Sequence, residues 1–141
     1  MPKTKNYEYW LWRRKKSTAI IKLYQSWKWS FNVVKDDWSK VSVEEYFGWH
    51  KYLIEAALHP FYVIWTDTKD RFDLEIKLSG WWLRWQAEAI KLGLSRALVS
   101  FNWEYRLQLK PYWLLKRDSR EKERKKYWLK KARKSPQWTK R

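Results

Sequence analysis

Residues 72–78, FDLEIKL, limit the fold of this chain more than any other stretch, because their side chains alternate strictly between apolar and polar. Successive side chains of a β-strand point to opposite faces of a sheet. The alternation therefore predicts a strand with one buried and one exposed face. The segment GWWLRWQ, residues 80–86, follows it, and from Gln86 to Ser100 the apolar residues recur three or four positions apart. That spacing predicts a helix with one buried stripe.

Four further elements are predicted around this strand and helix. Residues 17–24 are apolar and β-branched enough for a strand, and Phe31 to Lys35 suit a second, short one. Ser42 and Glu45 have the spacing of a capping box, which predicts a helix that starts near Val43 and ends before Pro60. A short helix or turn is expected over residues 104–109. Strands alternating with helices in this order predict a small α/β fold, an α+β two-layer sandwich.

Charge divides the chain into three parts. The formal net charge is +17, yet residues 17–115 are almost balanced. Residues 1–16 hold six Lys and Arg against one Glu, and residues 116–141 hold thirteen against three acidic side chains. We therefore predict a globular domain over 17–115, a basic N-terminal arm over 1–16 and an extended basic tail over 116–141. Polybasic segments neutralise nucleic-acid phosphates, whereas this tail has too few apolar residues for a membrane-surface helix.

The sequence supplies little for catalysis or metal binding. It has no Cys and only two His, so thiolate sites are excluded and histidine sites are poorly supplied. The acidic clusters Asp36–Asp37, Glu44–Glu45 and Asp67/Asp70/Asp73 are expected in turns or at a helix N-terminus. We predict no catalytic residue, no metal site and no cofactor. No apolar run approaches the length of a membrane span, and no membrane partner is expected.

The tail carries the most specific motif of the chain, LLKRDSREKERKKYWLKKARKSPQWTKR at residues 114–141. Its order of Asp118, Glu123, Tyr127 and Ala132 among basic residues, followed by Pro136-Gln137, resembles the C-terminus of the ribosomal small-subunit protein nine family. The resemblance extends to RRKKSTAIIKLY, EEYF, FDLEIKLSG and QAEAIKLGLSRAL, so it covers the chain from about Tyr9.

The resemblance implies a fold like the second domain of ribosomal protein five, with a long extended basic C-terminal tail. It also implies a structural role in the head of the small subunit. The implied partners are the 3′ major domain of small-subunit rRNA, the P-site tRNA and neighbouring small-subunit head proteins. The family's last residues reach the peptidyl site, which makes Lys140 and Arg141 the candidates for tRNA contact. The rRNA candidates are Arg13, Arg14, Lys15, Lys16, Arg117, Arg120, Arg124, Lys125, Lys126, Lys130, Lys131, Arg133 and Lys134.

Tryptophan replaces glycine repeatedly relative to the pattern of that family. The positions are Trp10, Trp12, Trp27, Trp29, Trp81, Trp82, Trp85, Trp113 and Trp128, and the chain has 14 Trp but only three Gly. In one interpretation the indoles are rRNA-stacking platforms. In the other, a reassigned codon is translated as Trp although the ribosome that makes this protein inserts Gly. Turns that need positive φ favour the second interpretation, because only Gly adopts them without strain.

One alternative function and one expectation about the compartment accompany this interpretation. A free-standing basic nucleic-acid binder or RNA chaperone would carry the same charges without entering a ribosome. The compartment is expected to be mitochondrial because of the non-standard decoding, and otherwise plastid or bacterial cytoplasm.

Overall fold

The computed structural model describes residues 7–25, 30–35, 37–64 and 72–140. Its strands are β1 (Tyr7–Arg14), β2 (Ser17–Gln25), β3 (Phe31–Val34), β4 (Lys40–Ser42) and β5 (Phe72–Ser79). Its helices are α1 (Val43–Tyr46), α2 (Lys51–Ile64), α3 (Leu83–Phe101) and α4 (Tyr105–Leu109). In these ranges the strands form one five-stranded sheet in the order β1-β2-β5-β3-β4. The predicted α+β sandwich is confirmed.

The central strands β2 and β5 lie antiparallel, with Ile21 opposite Ile76, and β3 runs parallel to β5. The predicted alternation holds in β5, because Phe72, Leu74 and Ile76 are buried. Helix α3 packs on β1 and β2, and α2 packs on α3. Gly93 allows this close approach, since a Cβ there would lie 2.8 Å from Cδ1 of Ile21.

The predicted helix from Val43 to before Pro60 is wrong at two places. Its N-cap is confirmed, because the Ser42 side chain accepts a hydrogen bond from Glu45 N. However, α1 ends at Tyr46, and α2 then continues through the buried Pro60. Left-handed backbone at Gly48 (φ 59°) and at Trp49 (φ 62°) breaks the helix. A buried apolar ring at Pro60 offsets the hydrogen bond that proline cannot donate.

The two edge strands of the sheet were not predicted. Residues 7–14, assigned to the basic arm by charge, form β1 and pair with β2 from Tyr7 opposite Tyr24 to Arg14 opposite Ser17. Charge counting misses such a strand because its basic residues lie only at one end. Strand β4 has three residues, too few for a recognisable alternation.

The tail contains no helix or strand within the part that the structure describes, residues 116–140, and turns or bends occur only at residues 116 and 127–133. This agrees with the lack of apolar periodicity beyond Leu115, and the extended path of the tail stays a prediction. Among the described helices, none combines the length and the apolar character that crossing a membrane requires.

Candidate nucleic-acid interface

Arg14 joins the start of the tail to the folded body. It lies at the end of β1, and its side chain is only 13% exposed. The guanidinium donates to Glu88 Oε2 of α3 at 2.6 Å and to Asp118 Oδ2 at 2.8 Å. It also donates to the backbone oxygens of Asp118 (2.9 Å) and Arg120 (3.2 Å). We call these four residues, Arg14, Glu88, Asp118 and Arg120, the tail clamp.

The tail clamp lines an open groove of about 570 Å³ between β1, α3 and the first residues of the tail. Lys91, Lys116 and Arg117 also line it, so the groove is rich in positive charge. Glu88 and Asp118 both pair with the Arg14 guanidinium, and each has a second cation beside it, Arg84 for Glu88 and Arg120 for Asp118. The clamp therefore determines where the basic tail leaves the domain.

Asp118 is strongly favoured in its charged form. Its side chain accepts from the backbone N–H of Arg120 at 2.9 Å and from the Arg120 guanidinium at 3.0 Å. The hydrogen bonds from Arg120, with the charge of Arg14 beside them, lower the pKa of Asp118 from 3.8 to about 2. The carboxylate is thus held ionised where the tail begins.

The lowered pKa of Asp118 predicts an acid-sensitive clamp. A folded-state pKa below the unfolded value stabilises the fold fully above the unfolded value, and this contribution is lost as pH falls through the folded value. Between pH 4 and pH 2 the clamp should therefore release. Asp118→Asn should be less stable than the wild type at pH 7 and lose less stability over that interval, measured by circular dichroism in urea. Glu121→Gln, which removes an exposed tail carboxylate, is the control and should follow the wild type.

Most of the predicted rRNA residues are exposed. The sequence prediction for Arg14 did not foresee its internal contacts, which engage its Nε and both terminal nitrogens. Lys15 is half-buried, and its ammonium lies 4.4 Å from the ring centre of Trp85. Exposed positions are Arg13, Lys16, Arg117, Arg120, Arg124, Lys125, Lys126, Lys130, Lys131, Arg133, Lys134 and Lys140. Arg141 lies outside the described residues.

The tail makes a bend in its second half. Arg133 pairs with Glu123 at 2.7 Å, and the backbone N–H of Lys130 donates to the carbonyl of Lys134 at 2.7 Å. Trp128 lies between these contacts with a left-handed φ of 66°. The bend gathers basic side chains of residues 124–134 along a short stretch of chain, an arrangement suited to closely spaced phosphates.

The segment GWWLRWQ contains the turn from β5 into α3, residues 80–82, and the first four residues of α3. Gln86 fixes it by donating from Nε2 to the carbonyl of Gly80 at 2.8 Å and accepting from the Tyr46 hydroxyl. Trp81 and Trp82 are 88% and 58% exposed, so they displace nothing in the core. Trp82 has a φ of −93°, which any residue adopts. The backbone of this turn requires glycine at Gly80, where φ is 118°.

The acidic clusters considered for catalysis do not converge in the described residues. Asp37 accepts from Ser39 in a turn, and Asp73 accepts from the backbone N–H of Ser30. Asp36, Asp67 and Asp70 lie outside the described residues. Over the ranges that are described, no group of three His, Cys, Asp or Glu side chains is placed to hold a metal ion.

Comparison with known proteins gives a consistent result. Residues 12–141 match the family model described as "Ribosomal protein S9/S16". A Mycoplasmoides gallisepticum protein, "Small ribosomal subunit protein uS9", is 42% identical over 132 residues, covering 93% of this chain and 94% of that protein. Its Thermotoga petrophila counterpart is 46% identical over 103 residues, covering 71% and 72%. "Small ribosomal subunit protein uS9c" of Tupiella akineta is 43% identical over 129 residues, covering 92% and 86%.

Proposed function

The chain belongs to the ribosomal protein S9/S16 family, and on that premise we propose that it is a structural, rRNA-binding constituent of the small ribosomal subunit. Proteins of this family are structural and non-enzymatic. One observation supports RNA binding above all. The folded domain is nearly charge-balanced, whereas the tail that begins at the tail clamp is strongly basic and exposed. An extended polycation can follow a phosphate path that a folded surface cannot line.

The proposed rRNA contacts of the arginines differ from those of the lysines. Arginine presents a planar fork of donors to a phosphate and can stack on a base, which suits Arg117, Arg124 and Arg133 to defined rRNA contacts. The lysines of residues 122–134 supply charge without fixed direction. Arg14 holds the tail in place, and in the proposed complex it acts through the clamp rather than through a phosphate of its own.

The location within the subunit is part of the proposal. We place the protein in the head, on the 3′ major domain of the rRNA and beside neighbouring head proteins, with Lys140 and Arg141 directed toward the P-site tRNA. The support is the match of the tail motif to the family up to its last residues.

The compartment follows from two different observations. The relatives reported above come from bacteria and a plastid, which supports a ribosome of the bacterial type. The mitochondrial assignment rests on non-standard decoding alone. We propose a bacterial-type ribosome, with the mitochondrion as the compartment expected if the decoding is organellar.

Association with small subunits at rising salt tests the function. A purely electrostatic complex with six to ten phosphate contacts weakens by about 10³- to 10⁵-fold between about 50 and 200 mM salt. We expect the protein to co-sediment with small subunits at high salt, because folded-body contacts add to the charge term. Complete release into the top fractions, together with equal binding to unrelated RNA, would support the free-standing RNA binder instead.

Removal of Thr139–Arg141 tests the tRNA contact separately. We expect normal incorporation into small subunits and weaker P-site tRNA binding, because only two positive side chains are lost from the far end of the tail. Filter binding of tRNA to purified subunits measures the effect. The matched variant Lys130→Gln/Lys131→Gln removes the same charge from the middle of the tail and should leave tRNA affinity unchanged. Failed assembly with normal tRNA affinity would contradict this division.

A further inference from the structure

Four tryptophans occupy a backbone conformation that bulky residues avoid. Among the described residues, only five residues other than glycine have positive φ: Lys15 and four tryptophans. We call the latter the left-handed tryptophans: Trp38 (φ 64°), Trp49 (φ 62°), Trp113 (φ 58°) and Trp128 (φ 66°). Positive φ is uncommon outside glycine, and Asn, Asp and His are the usual exceptions. Its concentration on tryptophan therefore needs a specific cause.

Backbone hydrogen bonds hold three of these four turns in place. Trp49 N–H donates to Glu44 O at 2.9 Å beside Gly48 N–H to Glu45 O, which closes the end of α1. Trp38 N–H donates to Lys35 O at 3.0 Å in the β3–β4 hairpin. Trp113 N–H donates to Lys110 O at 3.2 Å after α4. Each of these three positions follows a helix or connects two strands, which are places where glycine is the usual residue, whereas Trp128 lies in a turn of the tail.

The contacts of the indoles offset little of this strain. Lys77 lies 5.3 Å from the ring centre of Trp38 and Lys116 lies 5.2 Å from that of Trp113, and exposed contacts of this kind contribute only about 0.5–1 kcal/mol. Strained backbone persists where surrounding packing enforces it. The side chains of the left-handed tryptophans are instead 72–86% exposed. At two other, half-buried tryptophans the indole nitrogen itself is buried: Nε1 of Trp10 and Nε1 of Trp12 have no hydrogen-bond partner among the described residues, although Arg96 stacks on the Trp12 ring at 4.0 Å. Buried polar groups are normally hydrogen-bonded, so tryptophan fits poorly there too.

We propose that the left-handed tryptophans are glycine in the protein as its own cells make it, because one codon translated as tryptophan in the sequence is decoded there as glycine. Trp113 and Trp128 are among the nine tryptophans that stand where the family pattern has glycine, whereas Trp38 and Trp49 are not. The backbone thus identifies two positions independently of any family pattern.

The proposal changes the chemistry of the tail. The chain turns at residue 113, just before the tail, and at residue 128 within it, and glycine at these positions would let RNA approach the neighbouring backbone without meeting an exposed indole. Backbone N–H groups are regular donors to phosphate oxygens. This consequence rests on the proposed function, whereas the identity of the residues does not.

Peptide masses from the source cells decide the residue identity. A tryptic digest of whole-cell protein yields DDWSK (36–40), VSVEEYFGWHK (41–51), LQLKPYWLLK (107–116) and YWLK (127–130). We expect each peptide about 129 Da lighter than its tryptophan form, since Trp to Gly removes the indole side chain. ALVSFNWEYR (97–106), with Trp103 at negative φ, shows whether the decoding extends beyond the left-handed positions. Tryptophan masses for the four peptides would overturn the proposal, whatever the protein binds.

Recombinant variants provide a second measurement. The chain with glycine at all four left-handed positions should have a higher urea midpoint than the chain with tryptophan, and a lower midpoint would refute the backbone argument. The control Trp81→Gly/Trp103→Gly removes two exposed indoles from negative φ and should not raise the midpoint. For RNA contact, Trp113→Gly/Trp128→Gly should bind small-subunit rRNA more tightly than Trp38→Gly/Trp49→Gly. Equal affinities would refute the tail contact while leaving the peptide masses to decide identity.

Discussion

Deleting residues 121–141 is expected to lower the affinity for small-subunit rRNA by about a thousandfold or more near 50 mM salt. The deletion removes ten Lys and Arg and only two Glu. If about six of these cations neutralise phosphates, the slope of log affinity against log salt should fall by about 5 in magnitude. Fluorescence anisotropy with an rRNA fragment over a salt series measures both quantities.

The deletion starts after Arg120 so that the folded domain stays intact. Asp118 and Arg120 remain, so the contacts that Arg14 makes in the tail clamp are preserved. The deleted residues contain no described helix or strand, and the urea midpoint should therefore stay unchanged. A second variant with every tail lysine replaced by arginine keeps the charge and should keep the slope. An unchanged slope after deletion would mean that the folded body, rather than the tail, carries the phosphate contacts.

Gly80→Ala is expected to destabilise the fold by about 3 kcal/mol, combining backbone strain with a steric clash. Gly80 has a φ of 118°, and a Cβ there would lie 2.6 Å from Ser17 Oγ and 2.8 Å from Ser17 Cα. The second contact is with backbone, which cannot move aside without disturbing the β1–β2 turn. Urea denaturation followed by circular dichroism measures the change in the free energy of unfolding.

Gly48 supplies the matched control for the clash. Its φ of 59° is also left-handed, but among the described residues no atom beyond its own chain neighbours lies within 4 Å of the position that a Cβ would take. Gly48→Ala should therefore cost only the backbone strain, about 1–2 kcal/mol. Equal losses for the two variants would show that close packing against Ser17 contributes nothing, and that the turn after β5 needs glycine for its φ alone.

Several helices and strands of this protein could be predicted from the sequence, because the pattern of residues within each segment shows which of its faces is buried. The alternation in residues 72–78, the helical stripe after Gln86 and the Ser42 cap all correspond to observed structure. Patterns of this kind fail where the determining contact is distant. The basic end of β1 was therefore assigned to an arm, and the helix after Val43 was predicted to continue through the left-handed backbone at Gly48 and Trp49.

The candidate site shows the same division. Exposure of the tail cations was predictable, because no apolar periodicity exists beyond Leu115 to bury them. The role of Arg14 was not predictable. Its partner Asp118 is 104 residues away, and the order of charged residues in a sequence does not show which of them form ion pairs. Sequence also gave equal weight to Trp82 and Trp113 as glycine positions, whereas only Trp113 has the positive φ that demands glycine.

The amino-acid sequence by itself determined the α+β class, the basic tail and the family, because periodicity, composition and motif order are local properties of the chain. Only the tertiary structure decided that Arg14 holds the tail on α3 and which tryptophans lie in left-handed turns. Both depend on φ angles and on neighbours brought together by folding, and these are fixed when the sheet and α3 bury their shared core.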